Sequence, residues 1–354
     1  MMKDWKETKL GAIATFVNGR AYKATEFKET GTPIVRIQNL TGVGNTVYSD
    51  LALPENKYIS YGDLIYAWSA TFGPYIWKGI KSIFHYHIWK IECDDVEKHF
   101  LYYHLLRASD DMKDSGNGTL FIHITKELME SFPILLPPLP EQRAIAGVLS
   151  CLDDKIDLLH RQNKTLEAVA ETLFRQWFVE EADGGWEEGK LELIMKLSNG
   201  KSRPNSSGLI PVYGGNGILD FTDQSNYENE SIIIGRVGAY CGSLFFENNK
   251  IWVSDNALHA KARNDQENYF LFYLLKTLDL NSFAEGSSHP LLTQTLLNSI
   301  DITIPPAERR YEFNTLSKML NSKIISNQIQ IRTLGILRDT LLPKLMVGEV
   351  RVEV

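Results

Sequence analysis

Cysteine is scarce in this chain: Cys93, Cys151 and Cys241 are three in 354 residues, far apart and odd in number. That argues against a disulfide framework and suggests no zinc site. No apolar run approaches the roughly 18 residues of a membrane span, and the opening MMKDWKETKLGA has no apolar h-region. Neither a span nor a signal peptide is expected, and the expected compartment is the cytoplasm. An excess of basic charge is also missing, since 37 Lys and Arg against 44 Asp and Glu leave a net charge of −7. Such a balance opposes a protein that holds a nucleic-acid backbone unaided, unless its cations share one concave face or a partner supplies phosphate contacts.

Catalytic signatures are absent too. There is no G-x-x-x-x-G-K-[ST] loop for a nucleoside triphosphate and no G-x-S-x-G elbow. The glycines at 42–44 and 214–217 lack the third glycine of a dinucleotide loop. Neither Leu136-Pro137-Pro138-Leu139 nor Ile304-Pro305-Pro306-Ala307 fits the Asn/Asp-Pro-Pro-aromatic loop that grips a flipped base. Asp183, Glu188 and Lys190 make only a loose nuclease-like triplet in a linker. His85 and His87 with Cys93 could bind a metal, but SIFHYHIW reads more simply as sheet surface or core.

What is present is one long helix. Residues 137–178 open on a proline cluster and then run without another proline, and positions 145, 152, 159, 166 and 173 are Ile, Leu, Leu, Leu and Leu. Leu149, Ile156, Ala170 and Trp177 broaden that face. The seven-residue spacing is a coiled-coil seam, and a helix over 141–179 would be about 58 Å long. A rod of that length needs a partner.

The partner is in the same chain, because the sequence is duplicated. Residues 304–346 match the first stretch after a shift of 168: Leu152, Ile156, Leu166 and Leu173 recur as Leu320, Ile324, Leu334 and Leu341. The proline heads align with a one-residue gap, Glu141 and Arg143 against Glu308 and Arg310. Upstream, FLYYHLL at 100–106 answers FLFYLLK at 270–276, and 124–138 answers 292–306. Thr125 and Thr293 are expected helix N-caps, while Trp5 with Asn18-Gly19 faces Trp186 with Asn199-Gly200. Strands are expected at 33–40, 63–68 and 83–91, and at 210–213, 231–236 and 251–254. The expected fold is α+β: two mixed globules with a pair of long antiparallel coiled-coil helices and an internal pseudo-two-fold repeat. The helix-pair interface is expected at Ile145, Leu152, Leu159, Leu166 and Leu173 against Phe313, Leu320, Leu334 and Leu341. Asn327 falls on this seam and would fix register, and Pro343 would end or bend the second helix.

The PLPEQR-type head, the seam closing on F-x-x-W-F, YGGNGI at 213–218, IIIGRVGAYCG at 232–242 and RDTLLPKLMVGEVRV at 338–352 resemble the specificity subunit of type I restriction–modification enzymes, over essentially the whole chain. The resemblance implies target recognition domains over 1–136 and 183–303, and conserved spacer helices over 137–182 and 304–354. It implies that each domain reads half of a bipartite, asymmetric sequence in double-stranded DNA. It further implies that the helices space the halves and dock two methyltransferase subunits, with restriction subunits joining the full complex. No cofactor is then expected on this chain, and S-adenosylmethionine, ATP and Mg are expected on the partners. Two other readings are a coiled-coil scaffold without DNA specificity and a degraded nuclease–methylase fusion.

Base readout needs Arg, Lys, Asn and Gln at groove edges. Candidates in the first globule are Arg20, Lys23, Arg36, Gln38, Asn39 and Trp68. Those in the second are Lys201, Arg203, Tyr213, Asn216, Arg236 and Asn256. Arg36 and Arg236 could equally be salt-bridged on a sheet face, and Trp5, Trp68, Trp186 and Trp252 are of a type more often found in cores.

Overall fold

The computed structural model describes residues 5–69, 72–114, 124–286 and 290–353. The protein is α+β, in two compact units: Met1–Leu158 with Gln330–Val354, and Leu159–Ile329. Both long helices contribute to each unit. The first is Leu139–Arg175, prolonged by a π turn over Gln176–Glu180, and the second is Ala307–Met346.

In the first unit one antiparallel sheet has the order Thr15–Asn18, Ile88–Glu92, Leu64–Ala67, Gly73–Ile76. A second has the order Val47–Ser49, Thr32–Val35, Ser82–Phe84, Tyr58–Ile59, with a parallel pair at its centre. The second unit repeats the first sheet as Met195–Asn199, Ala257–Ala262, Ser231–Gly235, Leu244–Glu247. Its counterpart of the second sheet is Gly217–Thr222, Ile210–Gly214, Trp252–Val253, again with one parallel pair. A two-stranded ribbon completes each unit, Lys6–Lys9 with Pro133–Leu136 and Glu187–Lys190 with Asp301–Ile304.

The apolar runs of the central strands follow from burial on both faces. Leu64 and Tyr66 enter the main core of the first unit, whereas Ile65 points into a smaller core with Val35, Phe84 and Ile88. Ile232 and Ile234 enter the second unit's main core, and Ile233 its smaller one with Val253 and Ala257. Two expected strands are shorter than the sequence suggested. The one at 33–40 stops at Val35, because Ile37–Leu40 is a helical turn with Asn39 capping the Arg36 amide at 2.9 Å. The run at 83–91 is two strands of different sheets, Ser82–Phe84 and Ile88–Glu92, joined by a turn at 85–87.

Thr125 and Thr293 cap short helices, each hydroxyl accepting the amide of the third residue on at 3.2 Å. At the proline heads, Gln142 Nε2 donates to the Pro137 carbonyl and its Oε1 accepts the Glu97 amide. Arg310 donates to the Pro305 carbonyl and to the Glu267 carboxylate. The ungapped partner of Arg310 is therefore Gln142, not Arg143. Glu141, 4% exposed, accepts from Trp5 and from both Nε and Nη2 of Arg351 at 2.7–3.1 Å. A carboxylate so buried is tolerable only because those three donors meet it.

Within each unit the helix segments run antiparallel. In the first, Glu141 meets Arg351 and Asp153 meets Arg338 at 2.8 Å. In the second, Asn163 meets Asn327 at 2.8 Å, and the Phe174 and Phe313 rings lie 5.3 Å apart. Ile145, Leu159 and Phe313 are buried, and Leu152, Leu166, Leu173, Leu320, Leu334 and Leu341 are half-buried. Asn327 is fully buried on the seam. Pro343 sits inside the second helix, which ends one turn later at Met346. Proline's missing N–H matters less so close to the end than in mid-helix.

Candidate nucleic-acid interface

In each unit a three-residue turn, 85–87 or 254–256, carries the chain from the last strand of one sheet to the other sheet, and the two turns are held alike. In the first unit the amides of Gly19 and Arg20 donate to the carbonyls of Ile88 and Phe84, His85 to Val35, and Trp68 to His87. In the second, Gly200 and Lys201 donate to Ala257 and Val253, Ser254 to Tyr213, and Arg236 to Asn256. Next along, Ile124 donates to Trp68 and Leu292 to Arg236. The Asn-Gly pairs belong to this frame. A Cβ on Gly19 would stand 2.2 Å from the His85 carbonyl oxygen, and one on Gly200 1.8 Å from that of Ser254. Only glycine allows that approach.

The frame gathers most of the expected side chains. Arg20 pairs with Glu26 at 2.6 Å and lies over the Tyr22 ring. That guanidinium, with the Lys23 amide, holds the Glu26 carboxyl down to about 2. Lys23 caps the short turn Ala24–Glu26. Arg36 donates to the Asn45 carbonyl at 2.7 Å, Asn39 caps Arg36, and Gln38 lies in the same turn. Trp68 is half-buried, stacked on Trp89 at 5.9 Å, with its indole N–H on the Tyr86 carbonyl at 2.8 Å. In the second unit Arg236 reaches Asn199 Oδ1, which also accepts from Gln294. The Gly214-Gly215-Asn216 turn abuts the Asn256 and Val237 carbonyls, and both Asn216 and Asn256 are exposed. Two candidates stand apart. Tyr213 is 7% exposed, packed on Phe245 with its hydroxyl on Glu247, and Arg203 forms an exposed pair with Asp220.

Arg36 and Arg236 each leave a buried Nε–H without an acceptor among the described residues. An unmet buried donor costs roughly 1–3 kcal/mol. The crossing turns add His85, Tyr86 and His87 in the first unit, and Ser254, Asp255 and Asn256 in the second. The three rings of the first turn lie 3.8–4.9 Å from one another, and burial, His87 and Arg36 push His85 down to about 4, so it is neutral at pH 7. Of these only Asn256 is among the DNA contacts expected from the sequence, and His85 and His87 are read there as sheet surface or core, although a shift of 169 places HYH beneath SDN. Asp183, Glu188 and Lys190 form no acidic site, since Lys190 pairs with Asp301 and Asp183 caps the Gly185 amide. No group of three or more His, Cys, Asp or Glu side chains is placed to hold a metal among the described residues.

The model of the type I restriction modification DNA specificity domain matches residues 2–168 and again 184–333. The chain belongs to that family. The specificity subunit of the type I restriction enzyme MjaIX from Methanocaldococcus jannaschii is 29% identical over 315 residues, 73% of this chain and 71% of that protein. That of EcoBI from Escherichia coli is 26% identical over 157 residues, 43% of this chain and 33% of that one. The crystal structure of a type I system S subunit from M. genitalium shares the fold, with a TM-score of 0.66, 19% identity and coverage of 97% and 96%. Family membership fits a two-domain α+β chain with long helices. No described helix is long and apolar enough to cross a membrane.

Proposed function

We propose that this specificity subunit reads a bipartite, asymmetric sequence in double-stranded DNA, one half at each sheet-crossing site. The observation that carries the proposal is the duplicated frame. Matching main-chain bonds in both units hold cations and amides at corresponding loops, while the side chains there differ. Two unlike readers on one chain suit two unlike half-sites. The long helices space the halves and dock two methyltransferase subunits, and restriction subunits join the full complex. Chemistry belongs to those partners: S-adenosylmethionine to the methyltransferase, which flips an adenine, and ATP and Mg to the restriction subunit. The chain itself works in the cytoplasm as a reader, not a catalyst.

Expression of this chain with its methyltransferase in a host lacking other adenine methylation, followed by methylation sequencing, tests the reading. An asymmetric two-part motif is expected. No motif would favour a coiled-coil scaffold. Methylation or cleavage by the purified chain alone, with S-adenosylmethionine or Mg, would favour a nuclease–methylase fusion.

A further inference from the structure

We infer that the three-residue crossing turns, His85-Tyr86-His87 and Ser254-Asp255-Asn256, are the specificity-determining elements, each choosing bases in its own half-site independently of the other. This inference rests on the DNA-reading function proposed above.

Main-chain bonds fix each turn on every side: to the Asn-Gly segment, to the strand before it, and to Trp68 or Arg236. Most of those bonds recur in both units, Tyr86 N–H to the Arg20 carbonyl being found in the first alone among the described residues, and none uses a turn side chain. The side chains can therefore vary without moving the scaffold, and they do. One turn carries two imidazoles and a phenol, the other a hydroxyl, a carboxylate and an amide. Tyr86 is 40% exposed. Asp255 and Asn256 are exposed, and their side chains form no hydrogen bond or ion pair among the described residues.

The chemistry of each turn differs accordingly. Asn256 offers a donor and an acceptor on a fixed main chain, the pattern that pairs with N6 and N7 of adenine, and Asp255 accepts from N4 of cytosine. Tyr86 presents a ring for apolar contact with a thymine methyl, and His87 beside it has one donor and one acceptor when neutral. Around the turns, Arg36, Lys201 and Arg236 are the cations that would meet phosphates, which position a reader without choosing sequence.

The test is the methylation motif of the complete chain, co-expressed with its methyltransferase, for Tyr86→Ala, His87→Ala, Asp255→Ala and Asn256→Ala. All four change only turn side chains and leave the main-chain donors and acceptors in place, so parental melting is expected, and two per turn keep the test alive if one misfolds. Variants at 255 and 256 should relax the motif at one or two positions of one half-site, with methylation of sites that carry a non-cognate base there rising roughly tenfold or more. Variants at 86 and 87 should do so in the other half-site only. The inference is overturned if folded variants keep the parental motif, relax both halves together, or lower methylation without changing the motif. A parental chain yielding no bipartite motif would overturn the proposed function itself, and this assignment with it.

Discussion

His104 shows what one residue does when the two copies diverge. It stands in the first unit where FLFYLLK places Leu274 in the second. Its ring is buried, its Nε2 has no hydrogen-bond partner among the described residues, and burial with the nearby Arg107 lowers its pKa from 6.5 to about 4. The folded state therefore holds the neutral form while the unfolded chain takes up a proton below about pH 6.5. Between pH 6.5 and 4 the unfolded state binds more protons, so this contribution is complete above 6.5 and is lost as pH falls toward 4. The full shift is worth about 3 kcal/mol. His104→Leu, which copies the other repeat, should flatten the fall in stability across that range in denaturation followed at several pH values. Parallel curves for parent and variant would refute it. The sequence alignment exposed the histidine, but burial and a missing partner are tertiary facts no local pattern carries.

The long helices were legible because a seven-residue period survives in both copies and prolines mark their heads. What periodicity hid was polar: Asn163 occupies a seam position and faces Asn327. The pair leaves Asn327 Oδ1 without a partner among the described residues, which costs stability and disfavours other registers. The crossing turns were hidden for another reason. The apolar run at 83–91 looks continuous, and only long-range main-chain bonds reveal that it changes sheet at 85–87. If helix length sets the gap between half-sites, removing one facing heptad from each helix, with Asn163 and Asn327 retained, shortens the rod by about 10 Å. The gap should then fall by about three base pairs at ~3.4 Å each. A folded variant that still methylates the parental gap would show that something other than the helices measures it.

For the whole molecule the governing quantity is charge. A chain with net charge −7 must meet a polyanion, and several of its basic residues are paired within the fold. Arg20 holds Glu26, Lys190 holds Asp301, Arg310 holds Glu267, and Arg338 holds Asp153. Phosphate affinity grows with the number of cations that displace counterions, and each internal pair and the acidic excess reduce it. The isolated chain should therefore bind even its own target weakly, and binding should vanish between roughly 50 and 200 mM salt. Addition of the methyltransferase subunits should restore it, by contributing phosphate contacts rather than base contacts. Titration of labelled cognate and scrambled duplexes across that salt range, with and without the partner, separates the two. Tight, salt-insensitive binding by the chain alone would mean that its own surface carries the affinity, and that the acidic balance is offset by cations gathered at the two crossing sites.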